Sequence, residues 1–297
     1  MDRQRSVLIV DDEPLARRVL GRMLERKGYT VHEVGSGEEA LGLLESTPVD
    51  VVMSDIQMPR MDGFALLAAV KERYPHIRRV LVTAYNIDDY LSYLRDHDVA
   101  DILPKGAGLR SEEMDAYLDA LITGRLFGLD PYFRDTPIHV ERIRSYHDAR
   151  RVCASIVENR RVRDPLYLEM VVDELISNAV FHGVLHGVPR SEWNEGFVVG
   201  EGESVDVAWA CDDEKIGVSV ADPKGKLKKA DILRWFERPL SDTGETEEHG
   251  RGLLLVRRLI DRFIINIRPG TITECIVLQF HTPVSDSSQK PLLVHEV

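Results

Sequence analysis

The first 123 residues repeat one pattern five times: a short run of apolar, mostly β-branched residues, followed by a stretch whose apolar positions recur every three or four residues. The runs are VLIV from Val7, TVHEV from Thr30, VVMSD from Val51, RVLVT from Arg79 and VADILP from Val99. The amphipathic stretches are Pro14 to Lys27, Glu38 to Ser46, Phe64 to Tyr74, Ile87 to His97 and Glu112 to Ile122. Apolar runs without alternation suit strands buried on both faces, and parallel strands need a helical crossover between them. The pattern therefore predicts an α/β (βα)5 unit, a doubly wound parallel sheet, which gathers its ligand-binding side chains at the carboxyl ends of its strands.

The polar residues at those ends are a distinctive set. Asp11 and Asp12 follow the first run, Asp55 closes the third, Thr83 closes the fourth and Lys105 follows the fifth. Two carboxylates about 4 Å apart repel by about 4 kcal/mol at an effective dielectric near 20, so three converging there call for a cation or a raised pKa. Mg2+ suits such hard oxygen donors. A metal-bound phosphoryl group could then be attacked by Asp55, with Lys105 and Thr83 stabilising its oxygens, which is aspartyl-phosphate chemistry. The bland alternative is a set of acids simply solvated at strand ends.

With its VDDEP start (Val10 to Pro14) and the run DIQMPRMDG (Asp55 to Gly63), this stretch resembles the two-component receiver domains of the CheY-like type. The resemblance implies that Asp55 is the phosphoacceptor and that an upstream histidine kinase supplies the phosphoryl group. It implies Mg2+ held by Asp12, Asp55 and the backbone carbonyl of Gln57, with Asp11 acting through water. Thr83 and Lys105 are the expected switch residues. Two positions depart from the pattern. Ile102 stands three residues before Lys105, where receivers usually carry Tyr or Phe, and Gly106 stands where a proline usually follows. Tyr85 is the candidate replacement for the missing aromatic, beside the plainer reading of a half-buried tyrosine.

Residues 124–137 are read as a connector between a receiver domain at 1–123 and a second domain at 138–283. The segment from Thr123 to Pro137, TGRLFGLDPYFRDTP, carries three aromatics, unusual for a free tether, so Phe127, Tyr132 and Phe133 are expected to dock on one or both domains. His147-Asp148 superficially resembles the start of a histidine-kinase phosphoacceptor helix. The residues before it alternate like a strand, however, and the single helical stretch from Asp148 to Arg160 cannot supply a helical hairpin. His147 is expected just before a helix N-cap.

The second domain reads as strand, two helices, a glycine-bearing loop, two strands, a short helix, a further helix from Gly252 to Phe263 and two closing strands. In the helix Pro165 to Gly183, Glu174, Asn178 and His182 recur every four residues and share one face. A carboxylate can move a proton and a carboxamide oxygen is a hard metal ligand, although such a pair is also an ordinary polar edge for an apolar helix. Further on, Asp222 ends a strand, SDTGETEE (Ser241 to Glu248) forms a polar segment, and Gly250-Arg251-Gly252 opens a helix, where free N–H groups suit a phosphate. This order resembles the GHKL (HATPase) ATPase superfamily, and within it the anti-sigma-factor serine kinases, over residues 138 to 282.

That resemblance implies an α+β two-layer sandwich that binds ATP with Mg2+. Asn178 would hold the metal and Glu174 would act as general base. Asp222 would accept the adenine amino group, while Gly250, Arg251 and Gly252 would meet the phosphates. The family's D-x-G-x-G adenine loop is altered here to Asp222-Pro223-Lys224-Gly225-Lys226, leaving Gly225 as its one glycine.

A length of 297 residues with 43% hydrophobic content suits two domains. The net charge of −12 argues against a nucleic-acid partner. Three cysteines without a C-x-x-C pair indicate neither a disulfide framework nor a zinc site. No signal peptide or membrane span is read, so a cytoplasmic location is expected. Residues 284–297 are expected to be a disordered tail. The function expected is a response regulator with a serine/threonine protein kinase output that acts on a partner such as a STAS-type anti-anti-sigma factor, as a homodimer. A non-catalytic, anti-sigma-like partner-binding switch is the second reading and a histidine kinase the third.

Overall fold

The computed structural model describes residues 4–99, 101–106, 110–185, 197–200, 203–237, 250–283 and 290–297. It divides into two units, 1–125 with 288–292 and 126–287 with 293–297. The first contains β1 (Ser6–Val10), α1 (Pro14–Arg26), β2 (Thr30–Val34), α2 (Gly37–Leu44), β3 (Val51–Asp55) and α3 (Gly63–Arg73). It continues through β4 (Arg78–Thr83), a 3-10 turn (Ile87–Tyr90), α4 (Leu91–Asp96), β5 (Asp101–Pro104) and α5 (Ser111–Thr123). The strands are all parallel in the order β2-β1-β3-β4-β5, the (βα)5 sheet that the apolar runs require. Every residue of β1 and β3 is buried, whereas no residue of the edge strand β2 is fully so.

Local chemistry sets the helix starts. Pro14 occupies the first turn of α1, where its missing N–H costs nothing. Ser36 Oγ accepts from the Glu39 N–H (3.3 Å) at α2, and Asp62 Oδ1 accepts from the Ala65 N–H (2.8 Å) at α3. Each such cap contributes about 1 kcal/mol.

The second unit contains β6 (His139–Ile143), α6 (Tyr146–Val157), α7 (Pro165–Ala179), a π-turn (Val180–Val184), β7 (Val205–Cys211) and β8 (Lys215–Asp222). After these come α8 (Lys229–Phe236), α9 (Arg251–Leu259), β9 (Arg262–Arg268), β10 (Ile272–Phe280) and β11 (Leu292–Glu296). The sheet order is β11-β9-β10-β8-β7-β6, antiparallel except for β11 beside β9. α7 packs between α6 and α9 and over β8. Its buried residues Leu168, Val171, Val172, Leu175, Ile176 and Ala179 are spaced by one, three or four and form one stripe. The result is the expected α+β two-layer arrangement.

Several local expectations are corrected. Part of the tail expected to be disordered is ordered: Leu292–Glu296 forms β11, with Leu293 in register with Ile264 and Val294 with Ile265. α6 starts earlier than expected, because Ser145 rather than a residue after His147 is the N-cap, its Oγ accepting from the Asp148 N–H at 3.1 Å. His147 lies inside that helix. α9 ends at Leu259, which lets β9 begin at Arg262.

From Leu126 onward the connector belongs to the second unit. Phe133 lies so close to Gly217 that a Cβ there would stand 2.3 Å from its ring. The Arg268 guanidinium sits 4.8 Å from the Phe127 ring centre and Lys215 Nζ 4.7 Å from that of Phe133. Among the described residues no helix is long and apolar enough to cross a membrane.

Candidate functional site

The strand ends of the first unit bring its polar residues together. Asp11 follows β1, Asp55 and Thr83 close β3 and β4, and Lys105 follows β5; Asp11, Asp55 and Thr83 are buried while Asp12 is exposed. Asp11, Asp12 and Asp55 can each offer a carboxylate oxygen within 4.8 Å of the others. Lys105 Nζ bridges two of them, 2.8 Å from Asp11 Oδ2 and 2.9 Å from Asp55 Oδ1. Asp11 Oδ1 also accepts from the Glu13 N–H at 2.9 Å.

Burial pushes the Asp55 carboxyl up, outweighing the nearby Lys105 ammonium, and the Asp11 charge adds to the rise. Burial works against the Lys105 ammonium as well, yet its two carboxylate partners together hold its pKa above the ordinary lysine value. The donors are hard oxygens of the kind Mg2+ takes, so the chemistry of the cluster fits that ion.

The loop after β3 is sterically constrained next to Asp55. Gly63 starts α3 directly over the strand end, where a Cβ would stand 2.1 Å from the Asp55 carbonyl oxygen. The D-G pair at 62–63 is thus both a helix cap and a steric requirement. Gln57 is exposed and its side-chain Nε2 donates to the Tyr90 hydroxyl at 2.9 Å, a partner the sequence reading missed. Tyr85 is 50% exposed, its ring 6.5 Å from that of Tyr90, and its N–H donates to Thr83 Oγ1 at 3.0 Å. Gly106 has φ +79, a conformation closed to the proline usual in receivers.

In the second unit, Asn178 Nδ2 donates to Glu174 Oε1 at 3.0 Å, one turn along α7. His182 falls in the π-turn that follows α7. The start of α9 presses on the pair: a Cβ at Gly252 would stand 1.7 Å from Glu174 Oε1. Asp222, at the end of β8, meets the π-turn, where a Cβ at Gly183 would stand 2.6 Å from Asp222 Cβ. Glu174, Asn178, Asp222 and the glycine start of α9 are therefore gathered by contacts running through α7, the π-turn and β8.

Asp222 is 5% exposed. Its Oδ1 accepts from the N–H groups of Lys224 (2.8 Å) and Gly225 (3.1 Å), and burial nonetheless pushes its pKa up. Gly225 cannot be replaced cheaply, because a Cβ there would lie 2.3 Å from the Arg268 carbonyl oxygen. Gly250 has φ +93 and carries the Trp235 ring against it, a Cβ standing 2.3 Å from Trp235 Cγ. Arg251 is exposed. The sequence reading missed Trp235, which no motif marks. The polar segment Ser241 to His249 lies outside the described residues. A buried carboxylate for a donor such as an adenine amino group, glycine backbone for phosphates and an amide oxygen for a metal make a donor set that fits ATP with Mg2+.

Comparison with known proteins matches residues 7–116 to the response regulator receiver domain and residues 140–279 to the histidine kinase-like ATPase domain. The second match is to a family of ATPase domains, so ATP is the ligand it implies. The chain is 39% identical over 107 residues to the sensor kinase CckA of Brucella abortus, a match spanning 35% of this chain and 11% of that protein. It is 39% identical over 103 residues to the DNA-binding transcriptional regulator NtrC of Salmonella typhimurium, spanning 34% and 22%. The matches thus cover well under two thirds of those relatives. Among solved structures, the signal receiver domain of an HD domain-containing protein from Pseudomonas fluorescens is similar at 27% identity and a TM-score of 0.38, covering 41% of this chain and 98% of that one.

Proposed function

We propose that this chain, a response regulator receiver domain joined to a histidine kinase-like ATPase domain, is a response regulator in which phosphorylation of Asp55 controls an ATP-dependent serine/threonine protein kinase of the anti-sigma type. The observation that carries the kinase half is the Glu174–Asn178 pair lying against the glycine start of α9, with Asp222 on the neighbouring strand end. A carboxylate in that place is positioned to take the proton from an attacking hydroxyl.

In the receiver, Asp11, Asp12, Asp55 and the Gln57 carbonyl would hold Mg2+, which supplies charge neutralisation for a bound phosphoryl group. The Asp55 carboxylate attacks phosphorus, and the bond to the donor's leaving group, an imidazole nitrogen of an upstream histidine kinase, breaks with the electron pair going to that nitrogen. Lys105, already bonded to the Asp55 and Asp11 carboxylates, and the Thr83 hydroxyl then meet the new phosphoryl oxygens.

In the second unit Asp222 reads the adenine amino group, and Gly250, Arg251 and Gly252 receive the phosphates. Asn178 would hold the second Mg2+. Glu174 takes the proton from a serine or threonine hydroxyl of the partner as its oxygen attacks the γ-phosphorus and ADP leaves. A STAS-type anti-anti-sigma factor is the partner class this reading names, and a homodimer is the assembly.

The test is labelled ATP with candidate STAS partners. Glu174→Ala should bind ATP and transfer nothing, and Asn178→Ala should lose the metal-dependent part of binding. Absence of any heat or thermal stabilisation at millimolar ATP would replace the kinase by a partner-binding switch.

A further inference from the structure

The face of the second unit's sheet opposite α7 carries a buried polar group that the proposed kinase chemistry does not use. Directly opposed residues on neighbouring strands share a face. By the register, Glu274 on β10 stands opposite Ala221 and Asn266, while Asn266 on β9 stands opposite His295 on β11. Asp222 is the next residue after Ala221 and points to the other face, toward the π-turn. Glu274, Asn266 and His295 are 4%, 0% and 4% exposed, so a carboxylate, an amide and an imidazole lie in strands that are otherwise mostly apolar.

Their partners are in the connector. Both Glu274 oxygens accept from the Gly128 N–H, at 3.0 and 2.9 Å. Ser219 Oγ donates to Glu274 Oε1 at 2.5 Å and Asn266 Nδ2 to Oε2 at 3.2 Å. Asn266 Nδ2 also donates to the Leu126 carbonyl at 2.6 Å, and its Oδ1 is 2.6 Å from His295 Nδ1, which must therefore carry the proton. Burial raises the Glu274 pKa against these donors. A hydrophobic group would fill the place at lower desolvation cost; a buried carboxylate aimed at one backbone N–H instead fixes where the connector lies.

The chain leaves little slack on the other side. α5 ends at Thr123, whose Oγ1 donates to the Asp119 carbonyl, and Arg125 Nη2 reaches the Asp119 carboxylate at 3.1 Å. Only Gly124 and Arg125 separate Thr123 from the held Leu126 carbonyl, a reach of about 3.3–3.6 Å per residue. On the far side, Ser219 lies on β8 three residues before Asp222, and Glu274 adjoins Thr273, the register partner of Asp222.

We infer that Glu274 and Asn266 latch the connector at Leu126 and Gly128, and that this latch, on a two-residue tether from α5, is the device by which the receiver's state reaches Asp222. The inference rests on the reading of Asp55 as phosphoacceptor. A change at the end of α5 pulls on the strap, the strap pulls on β8 and β10, and those strands carry the nucleotide side chain on their other face.

The experiment is hydrogen exchange on the full chain, with and without beryllofluoride and Mg2+ as the phosphoryl mimic. In the unmodified protein the mimic should change the exchange rate of the Gly128 amide by about tenfold or more. With Gly-Ser-Gly-Ser inserted after Gly124, the segment Thr83 to Lys105 should still respond while Gly128 no longer does. Glu274→Leu should remove Gly128 protection in both states. A responding receiver with unchanged Gly128 exchange, or protection that survives Glu274→Leu, overturns the latch. A receiver that does not itself respond overturns the phosphoacceptor reading, and the latch falls with it.

Discussion

Lys105 lies within hydrogen-bond distance of two carboxylates that would otherwise repel each other, and that contact defines what Asp55 can do. With Mg2+ and acetyl phosphate the protein should take one label, and Asp55→Asn or chelation of the metal should each abolish it; autoradiography after denaturing electrophoresis reads both. The loop behind Asp55 is equally constrained. Gly63→Ala sets a Cβ against the Asp55 carbonyl, and overpacking of this kind costs about 1–3 kcal/mol, seen as a lower urea midpoint for the first unit. Tyr29, 4% exposed, has its phenol pushed up to about 12 by burial and by Asp115, to which its hydroxyl is bonded. A raised phenol pKa means that the folded state resists ionisation. Its contribution is fully present below the unfolded value near 10 and is lost as pH rises through about 12. The stability difference between wild type and Tyr29→Phe should therefore shrink or reverse across pH 10–12, whereas a constant difference would contradict the burial of this group.

At the scale of elements, strands buried on both faces were the most legible, because VLIV and VVMSD need no partner to be recognised. Asp11, Asp55, Thr83 and Lys105 could be read for the same reason, since strand ends locate them. β11 was not legible. LLVHE is five residues with a histidine and an acid, and what makes it a strand is pairing with β9, far away in sequence. Glu274 and Asn266 left a faint signal, a single acid and a single amide in the apolar runs ITECIVLQF and FIINI, the pattern of a buried polar group that must have partners. Their partners are backbone groups of the connector, which no side-chain pattern reveals. Trp235 against Gly250 was hidden likewise, because a close approach of two segments is a tertiary fact. Removing residues 293–297 should lower the thermal midpoint of the second unit. It strips β9 of one of its two partner strands and removes the buried Leu293 and Val294, each worth about 1.5–3 kcal/mol when fully buried, and calorimetry would resolve the drop from an unchanged first unit.

For the whole molecule the question is energetic. A phosphoryl group on Asp55 replaces a singly charged carboxylate by an acyl phosphate of close to two negative charges, a net change of about one, and moving a two-state equilibrium from 1:99 to 99:1 takes about 5.5 kcal/mol of differential stabilisation. A surface contact supplies about 1 kcal/mol or less, so control of the second unit needs a built connection such as the strap from Leu126 to Phe133. The most direct measurement is ATP affinity by calorimetry on the full chain, with Asp55 free and with Asp55 carrying beryllofluoride, alongside Asp55→Asn. Control predicts dissociation constants that differ by about tenfold or more, a coupling of about 1.4 kcal/mol, in the unmodified protein and by nothing in the variant. Equal affinities for the two forms, with the mimic shown to be bound, would contradict it.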